Sequence, residues 1–348
     1  MAYRRKIISF ILIVVFAAAA FFAWRIFGNN TGFPENKKNF YIKTGSSFST
    51  VVNQLNGQKI ITNPAIFKLL AHQLKYDVNI KAGRYTIESG SSIYTTIKIL
   101  KSGRQTPVKL VITKLRTKED LAQKIGNNFE CDSAAVMALF NNNDSLLQYG
   151  LDTNTVMTAV IPNTYSILWN TIPAKIFKKL DTEQEKFWNS ERKQKAASLN
   201  LSVQQVYTLA SIVEEESNKD DDKGKIASVY LNRLHTGMRL SADPTVIFAL
   251  KDFTIKRVYK KYTEFPSPFN TYLNNGLPPG PICTPSVKTI DAVLNAPSTN
   301  YLYFVAQPNL TGYSNFAVTY YEHMVFAKQY QQWLTTYLKN KQAVDSTK

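Results

Sequence analysis

Three consecutive acids, Glu214, Glu215 and Glu216, close a run that is otherwise apolar and helical in its spacing, through Val206, Leu209, Ile212 and Val213. At about 100° per residue, Leu209, Ile212 and Val213 share one face, and Glu216 joins it one turn later. Glu214 and Glu215 fall off that face and read as solvent-facing groups or electrostatic neighbours. A carboxyl aimed into the apolar side of a helix is desolvated, which raises its pKa and suits it to act as a general acid near neutral pH. Protonating the leaving oxygen of a glycosidic bond is one reaction such a group performs. Taken alone, a glutamate ending a buried stripe is more often an ion-paired structural group, so its neighbours must decide.

Those neighbours are polar and varied. Asn232, Arg233, Arg239, Asp243 and Thr245 put amide, guanidinium, carboxylate and hydroxyl groups within about thirty residues of Glu216. Asn270–Thr271–Tyr272 and the run Gly276–Leu277–Pro278–Pro279–Gly280–Pro281 then form a rigid, aromatic, turn-rich loop. Aromatic faces and hydrogen-bonding amides and hydroxyls together suit a saccharide cleft. Asn270, Thr271 and Tyr272 read as sugar contacts because they lie in a loop and not on a core stripe. Arg233 and Arg239 either grip substrate carboxylates or stay solvated and ion-paired. Asp243 reads as a helix cap before Pro244 or as a substrate contact, and if it instead activated water it would be the second acid of a two-carboxylate muramidase.

The elements that must hold these groups are legible in outline. Ser202 caps the helix that ends at Glu216, a second helix begins near Asp220 with Ile226, Val229, Tyr230 and Leu234 as its apolar marks, and a third opens at Asp243–Pro244 with Asp243 as its cap. A helix from about Ser286 to Leu294, a strand over Tyr301–Ala306 and a long closing helix over Val318–Lys339 follow. Upstream, Gly45–Ser46–Ser47 and Gly90–Ser91–Ser92 each cap a short amphipathic helix after a strand-like run. Residues 107–115 read as a strand, Thr117 as the start of a helix, and Pro162–Asn163–Thr164–Tyr165 as a turn. At the N-terminus, Arg4, Arg5 and Lys6 precede an uncharged stretch from Ile7 to Trp24, long enough for a bilayer with Arg25 snorkelling beyond it. The basic cluster predicts a cytoplasmic N-terminus and an exported body. The apolar run continues past Ala17–Ala20, which favours an uncleaved anchor over a signal peptide.

The chain of 348 residues carries a formal charge of +17, which suits an anionic neighbour such as an acidic wall polymer or anionic lipid. No helix-turn-helix, zinc-finger spacing or arginine-rich arm is present, so nucleic acid is not expected as a partner. Only His72, His235 and His323 occur, without metal-ligand spacing, and no metal or other cofactor is expected. Cys131 and Cys283 are far apart and read as free, buried thiols, with a disulfide left open.

Ordered blocks then carry a resemblance. Ser211–Ile212–Val213–Glu214–Glu215–Glu216–Ser217, Ala227–Ser228–Val229–Tyr230–Leu231–Asn232–Arg233–Leu234, Gly237–Met238–Arg239–Leu240, Asp243–Pro244–Thr245, Asn270–Thr271–Tyr272, Gly276–Leu277–Pro278–Pro279–Gly280–Pro281 and Tyr301–Leu302–Tyr303–Phe304–Val305 resemble the endolytic murein transglycosylases, the MltG or YceG-like family. The resemblance implies cleavage of the β-1,4 bond between N-acetylmuramic acid and N-acetylglucosamine in nascent peptidoglycan, leaving 1,6-anhydromuramyl ends and terminating strand growth. It places the catalytic acid at Glu216. It also implies peptidoglycan strands, inner-membrane lipid and peptidoglycan synthases as partners. A non-catalytic wall-binding scaffold and a two-carboxylate muramidase remain the alternatives. The implied fold is α+β: an anchor over 1–28, a linker over 29–38, a LysM-like module over 39–105, a mixed α+β catalytic domain over 106–340 and a tail over 341–348. Two departures stand out. Thr158–Ala159–Val160–Ile161–Pro162–Asn163–Thr164–Tyr165 lacks the acid that many relatives carry in this segment, and Ala296 replaces a common histidine before Pro297.

Overall fold

The computed structural model describes residues 2–345, which fall into two compact units of mixed α and β structure. The first unit holds the described chain up to Leu110, together with Asn128–Cys131 and Ser166–Ile172. It begins with α1 (Ala2–Phe27), whose stretch Tyr3–Phe27 is long and apolar enough to span a membrane and is not buried in protein. Next come β1 (Lys37–Ile42), α2 (Phe48–Gly57), α3 (Pro64–Gln73), β2 (Gly83–Glu88) and α4 (Ile93–Ser102). β1 and β2 pair antiparallel, Lys37 opposite Glu88 and Ile42 opposite Gly83. Phe40, Ile42, Val52, Leu55, Phe67, Ile87, Ile97 and Leu100 fill the core between this ribbon and the helices.

The repeated Gly-Ser-Ser is a helix-entry device. Gly45 and Gly90 sit at φ 79° and 83°, a left-handed turn that glycine enters without strain, and the Ser47 and Ser92 hydroxyls accept from the backbone N–H groups of Thr50 and Thr95. α3 has no counterpart among the sequence expectations, although its signal is local: Asn63 caps it, accepting from the N–H of Ile66, and Pro64 begins it. This unit also draws in segments that the sequence assigns to the later domain. The Glu130 carboxylate accepts from the Thr44 backbone N–H and hydroxyl at 2.6 and 2.7 Å, and Trp169 packs edge-on to Tyr41.

The intervening chain runs through β3 (Val108–Ile112), α5 (Lys118–Asn128), α6 (Ser133–Phe140), α7 (Asn143–Leu147) and a 3-10 turn over Val156–Ala159 to β4 (Asn163–Ile167). The turn expected at Pro162–Tyr165 is therefore the entry to a strand. Tyr165 is buried there and its hydroxyl donates to the Ile161 carbonyl.

In the second unit, α8 (Pro173–Phe187) and α9 (Ser190–Ser198) lead to α10 (Val203–Glu216). Ser202 and Gln205 form a capping box at the start of α10, and every residue from Val206 to Val213 is buried. α11 (Asp220–His235), α12 (Asp243–Leu250), α13 (Lys260–Thr263) and α14 (Val287–Leu294) follow, and Ile226, Ala227 and Tyr230 of α11 with Ile290, Val293 and Leu294 of α14 enclose α10 in one core. The hairpin β5 (Tyr303–Ala306) and β6 (Ser314–Ala317) is covered by α15 (Tyr320–Asp345). α15 continues past residue 341, where the sequence predicts the tail to begin, and residues 346–348 of that tail lie outside the described residues. Cys283 is a buried, free thiol that donates to the Ser211 carbonyl.

Candidate active site

Glu216 is the last residue of α10, on the apolar face of the helix where that face runs out at the edge of an open cleft of about 510 Å³. α11 crosses the same core and delivers Tyr230, whose hydroxyl donates to Glu216 Oε1 at 2.5 Å. The Tyr230 ring is held edge-on against Phe304 of β5 at 5.9 Å, so the donor has little freedom to turn away. Glu216 keeps partial access to the cleft, yet protein atoms crowd it closely. Burial pushes its carboxyl from 4.5 up to about 7. The Tyr230 hydrogen bond pulls the value back, the Asp243 charge pushes it up again, and smaller opposing contributions come from Arg233 and Glu215.

Its two sequence neighbours have other work. Glu215 meets Lys114 at 2.9 Å and Arg116 at 3.0 Å, tying the segment after β3 to α10. Glu214 pairs with the buried Lys223 at 3.3 Å and accepts from Ser286 and Thr289 at the start of α14. Both are ion-paired, part-buried groups. The solvent-facing alternative fails because α11, α14 and the segment after β3 close over that side of the helix.

The candidate residues divide into those on the cleft and those behind it. Arg233, Arg239, Asp243 and Tyr272 line the cleft with Glu216. Arg233 is braced by the carbonyls of Leu302 at 2.7 Å and Leu240 at 2.5 Å, and its guanidinium lies over the Tyr303 ring. Arg239 is exposed and donates to the Tyr272 carbonyl at 3.1 Å. Asp243 corrects the capping expectation: it is the first residue of α12, makes no cap hydrogen bond, and accepts from the Tyr272 hydroxyl at 2.6 Å. Burial raises the Asp243 carboxyl above its ordinary range, against the pull of that hydrogen bond.

Asn232, Thr245, Asn270 and Thr271 do not line the cleft. The Asn232 amide donates to the carbonyls of Thr299 and Tyr301 at 2.8 and 2.9 Å, pinning the chain that enters β5. Thr245 and Thr271 are buried against each other at 2.9 Å, and the Thr271 hydroxyl accepts from the Ala242 N–H. Asn270 is fully buried, donating to Thr263 and Phe265 and accepting from the Tyr272 N–H. A polar loop that folds inward must satisfy its polar atoms internally, so these residues shape the turn that presents Tyr272.

The aromatic side of the cleft comes from Tyr303, Phe304, Tyr320 and His323, none of which is among the sequence candidates. Tyr230 is also missing from them, although a tyrosine on a buried face must find a partner for its hydroxyl, and that was its signal. Among the described residues, no group of three or more His, Cys, Asp or Glu is placed to hold a metal ion.

The family model described as YceG-like family matches residues 40–329, which span both units and every residue of the cleft. The chain belongs to the YceG-like family. An endolytic murein transglycosylase of Bacillus subtilis is 30% identical over 315 residues, covering 84% of each chain. One from Streptococcus pneumoniae is 27% identical over 295 residues, and the match spans 76% of this chain but about half, 53%, of that longer relative. The crystal structure of a putative yceG-like protein from Listeria monocytogenes superposes with a TM-score of 0.54 at 29% identity, covering 83% of this chain and 99% of that one.

Proposed function

We propose that this chain is a membrane-anchored endolytic murein transglycosylase with Glu216 as its acid and base. The observation that carries the reading is the Glu216 carboxyl, raised to about 7 beside an open cleft and oriented by Tyr230. The names of its relatives supply the substrate class. Protonated Glu216 gives its proton to the glycosidic oxygen as the bond from the muramyl anomeric carbon to that oxygen breaks, and the N-acetylglucosamine hydroxyl departs. The resulting carboxylate takes the proton of the muramyl 6-hydroxyl as that oxygen bonds to the anomeric carbon, closing the 1,6-anhydro ring and restoring protonated Glu216. No water is consumed. Because the nucleophile lies within the substrate, the enzyme's part is orientation and proton transfer.

A second reading has one observation in its favour. Asp243 lines the same cleft and interacts electrostatically with Glu216, as a water-activating partner in a muramidase would. Its Oδ1 is already engaged by the Tyr272 hydroxyl, which occupies the oxygen that an activated water would need. Mass spectrometry of digested sacculi separates the two: anhydromuramyl ends with the wild type and none with Glu216→Gln support the transglycosylase, and reducing muramyl ends support the hydrolase. Absence of both products would refute the enzymatic reading and leave a wall-binding scaffold.

The remaining parts fit this activity. Arg4, Arg5 and Lys6 at the start of α1, ahead of its uncharged stretch, orient the N-terminus to the cytoplasm and the cleft to the outer side of the inner membrane. The segment 39–105, which holds α2, α3, β2 and α4, acts as the LysM-like module, a glycan-holding or spacing element. Cutting strands as they emerge makes the enzyme a terminator of glycan elongation and a neighbour of peptidoglycan synthases.

A further inference from the structure

His323 sits one turn into α15 and lines the cleft that contains Glu216. Its ring is stacked on Tyr303, centroids 5.3 Å apart and 26° from parallel, with Tyr320 beside it at 6.2 Å. Tyr303 in turn carries the Arg233 guanidinium over its ring at 5.4 Å. Arg233, His323 and Tyr303 thus form a cation-capped aromatic assembly on one side of the cleft. Within it, His323 Nδ1 is buried and has no hydrogen-bond partner among the described residues.

That unpartnered atom determines the tautomer. An orphaned buried N–H is costlier and rarer than an orphaned acceptor lone pair, so Nδ1 carries the lone pair and the proton resides on Nε2, the other nitrogen of a ring that lines the cleft. Burial and the nearby Arg233 charge keep the ring neutral by lowering its pKa from 6.5. Nε2–H is then a fixed donor, held by stacking, with no hydrogen-bond partner among the described residues.

We propose that His323 is a substrate-binding residue whose Nε2–H donates to an oxygen acceptor of the amino sugar bound beside Tyr303. The inference rests on the cleft being the glycan site. The His323–Tyr303 stack supplies the rigid surface, and the donor fixes which way round the sugar lies on it. The interaction is made to bound glycan before any bond breaks, so it contributes to binding and little to the chemical step.

The test uses the full-length chain in detergent and a stem-peptide-bearing tetrasaccharide of alternating N-acetylglucosamine and N-acetylmuramic acid as the probe. In a Glu216→Gln background, which binds without cutting, His323→Phe keeps an aromatic ring but removes the donor. Titration calorimetry is expected to show binding weakened roughly three- to tenfold, the size of one neutral hydrogen bond. His323→Gln, whose amide can stand near Nε2, is expected to restore binding to within about threefold of the histidine form. With Glu216 intact, His323→Phe raises KM by the same factor and leaves kcat nearly unchanged. Unchanged binding in His323→Phe overturns the proposal, as does equal loss in the Phe and Gln variants accompanied by equal loss of thermal stability. If the Glu216→Gln protein with His323 intact does not bind the tetrasaccharide at all, the glycan-cleft reading falls and this inference with it. Normal wild-type cutting with a silent His323→Phe overturns this inference alone.

Discussion

Replacing Tyr230 with Phe removes one hydroxyl and nothing else of size from a residue that is 1% exposed. That hydroxyl donates to Glu216 Oε1 at 2.5 Å and is the largest influence opposing burial on the Glu216 carboxyl. A hydrogen bond to a charged acceptor is worth about 1.5–3 kcal/mol, and one pH unit corresponds to 1.36 kcal/mol, so its loss raises the Glu216 pKa by about one to two pH units above its present value near 7. The first step needs protonated Glu216, and activity therefore falls as pH rises through that pKa. In Tyr230→Phe the alkaline limb of kcat/KM is expected to move upward by about one to two pH units. The plateau rate at lower pH should fall, since a weaker acid protonates the leaving oxygen less readily. Release of anhydromuramyl products, measured by mass spectrometry from pH 5 to 10, gives both limb and plateau. An alkaline limb that stays in place or moves down in Tyr230→Phe would refute the assignment of Glu216 as the titrating acid restrained by Tyr230.

Glu216→Gln should stabilise the fold in a pH-dependent way. The folded pKa of Glu216 lies above its ordinary 4.5, so its contribution to stability is intact below about 4.5 and is lost as pH rises to about 7, a loss of roughly 3 kcal/mol. Thermal melts of the full chain should show the variant gaining over wild type at pH 8 and not at pH 4; an equal gain at both would contradict burial as the cause. Asp243→Asn removes a charge that pushes the Glu216 pKa up, and the alkaline limb should move down while anhydro products persist. Complete loss of cutting with normal glycan binding would instead favour the two-carboxylate hydrolase. Asn232→Ala leaves the carbonyls of Thr299 and Tyr301 without their donor and should lower unfolding free energy by about 2 kcal/mol in urea titrations. An unchanged midpoint would remove Asn232 from the scaffold.

The helix spans around Glu216 were legible because their signals are local. Ser202 before α10, Ser286 before α14 and the Gly-Ser-Ser pair before α2 and α4 act over three or four residues, and the structure shows each cap hydrogen bond. Pro162–Tyr165 read as a turn because Pro and Asn open it, while formation of the strand Asn163–Ile167 depends on a partner far away in sequence. The loop around Asn270 misled for a related reason. Polar loop residues ordinarily face water, but here the backbone of residues 263–272 wraps around the Asn270 side chain and takes up its hydrogen bonds.

By itself, the sequence determined which of three adjacent acids could matter. Helical periodicity is a property of the chain alone, and it separates Glu216 from Glu214 and Glu215 before any packing is known. Periodicity has no access to what approaches from elsewhere. The Tyr230 donor, the Asp243–Tyr272 pair and the aromatic side built from Tyr303, Tyr320 and His323 come from segments up to about a hundred residues downstream, brought to one cleft by the packing of α10, α11 and the β5–β6 hairpin under α15. Only that convergence desolvates the carboxyl, places a donor on it and turns an acid on a helix into one poised near neutral pH.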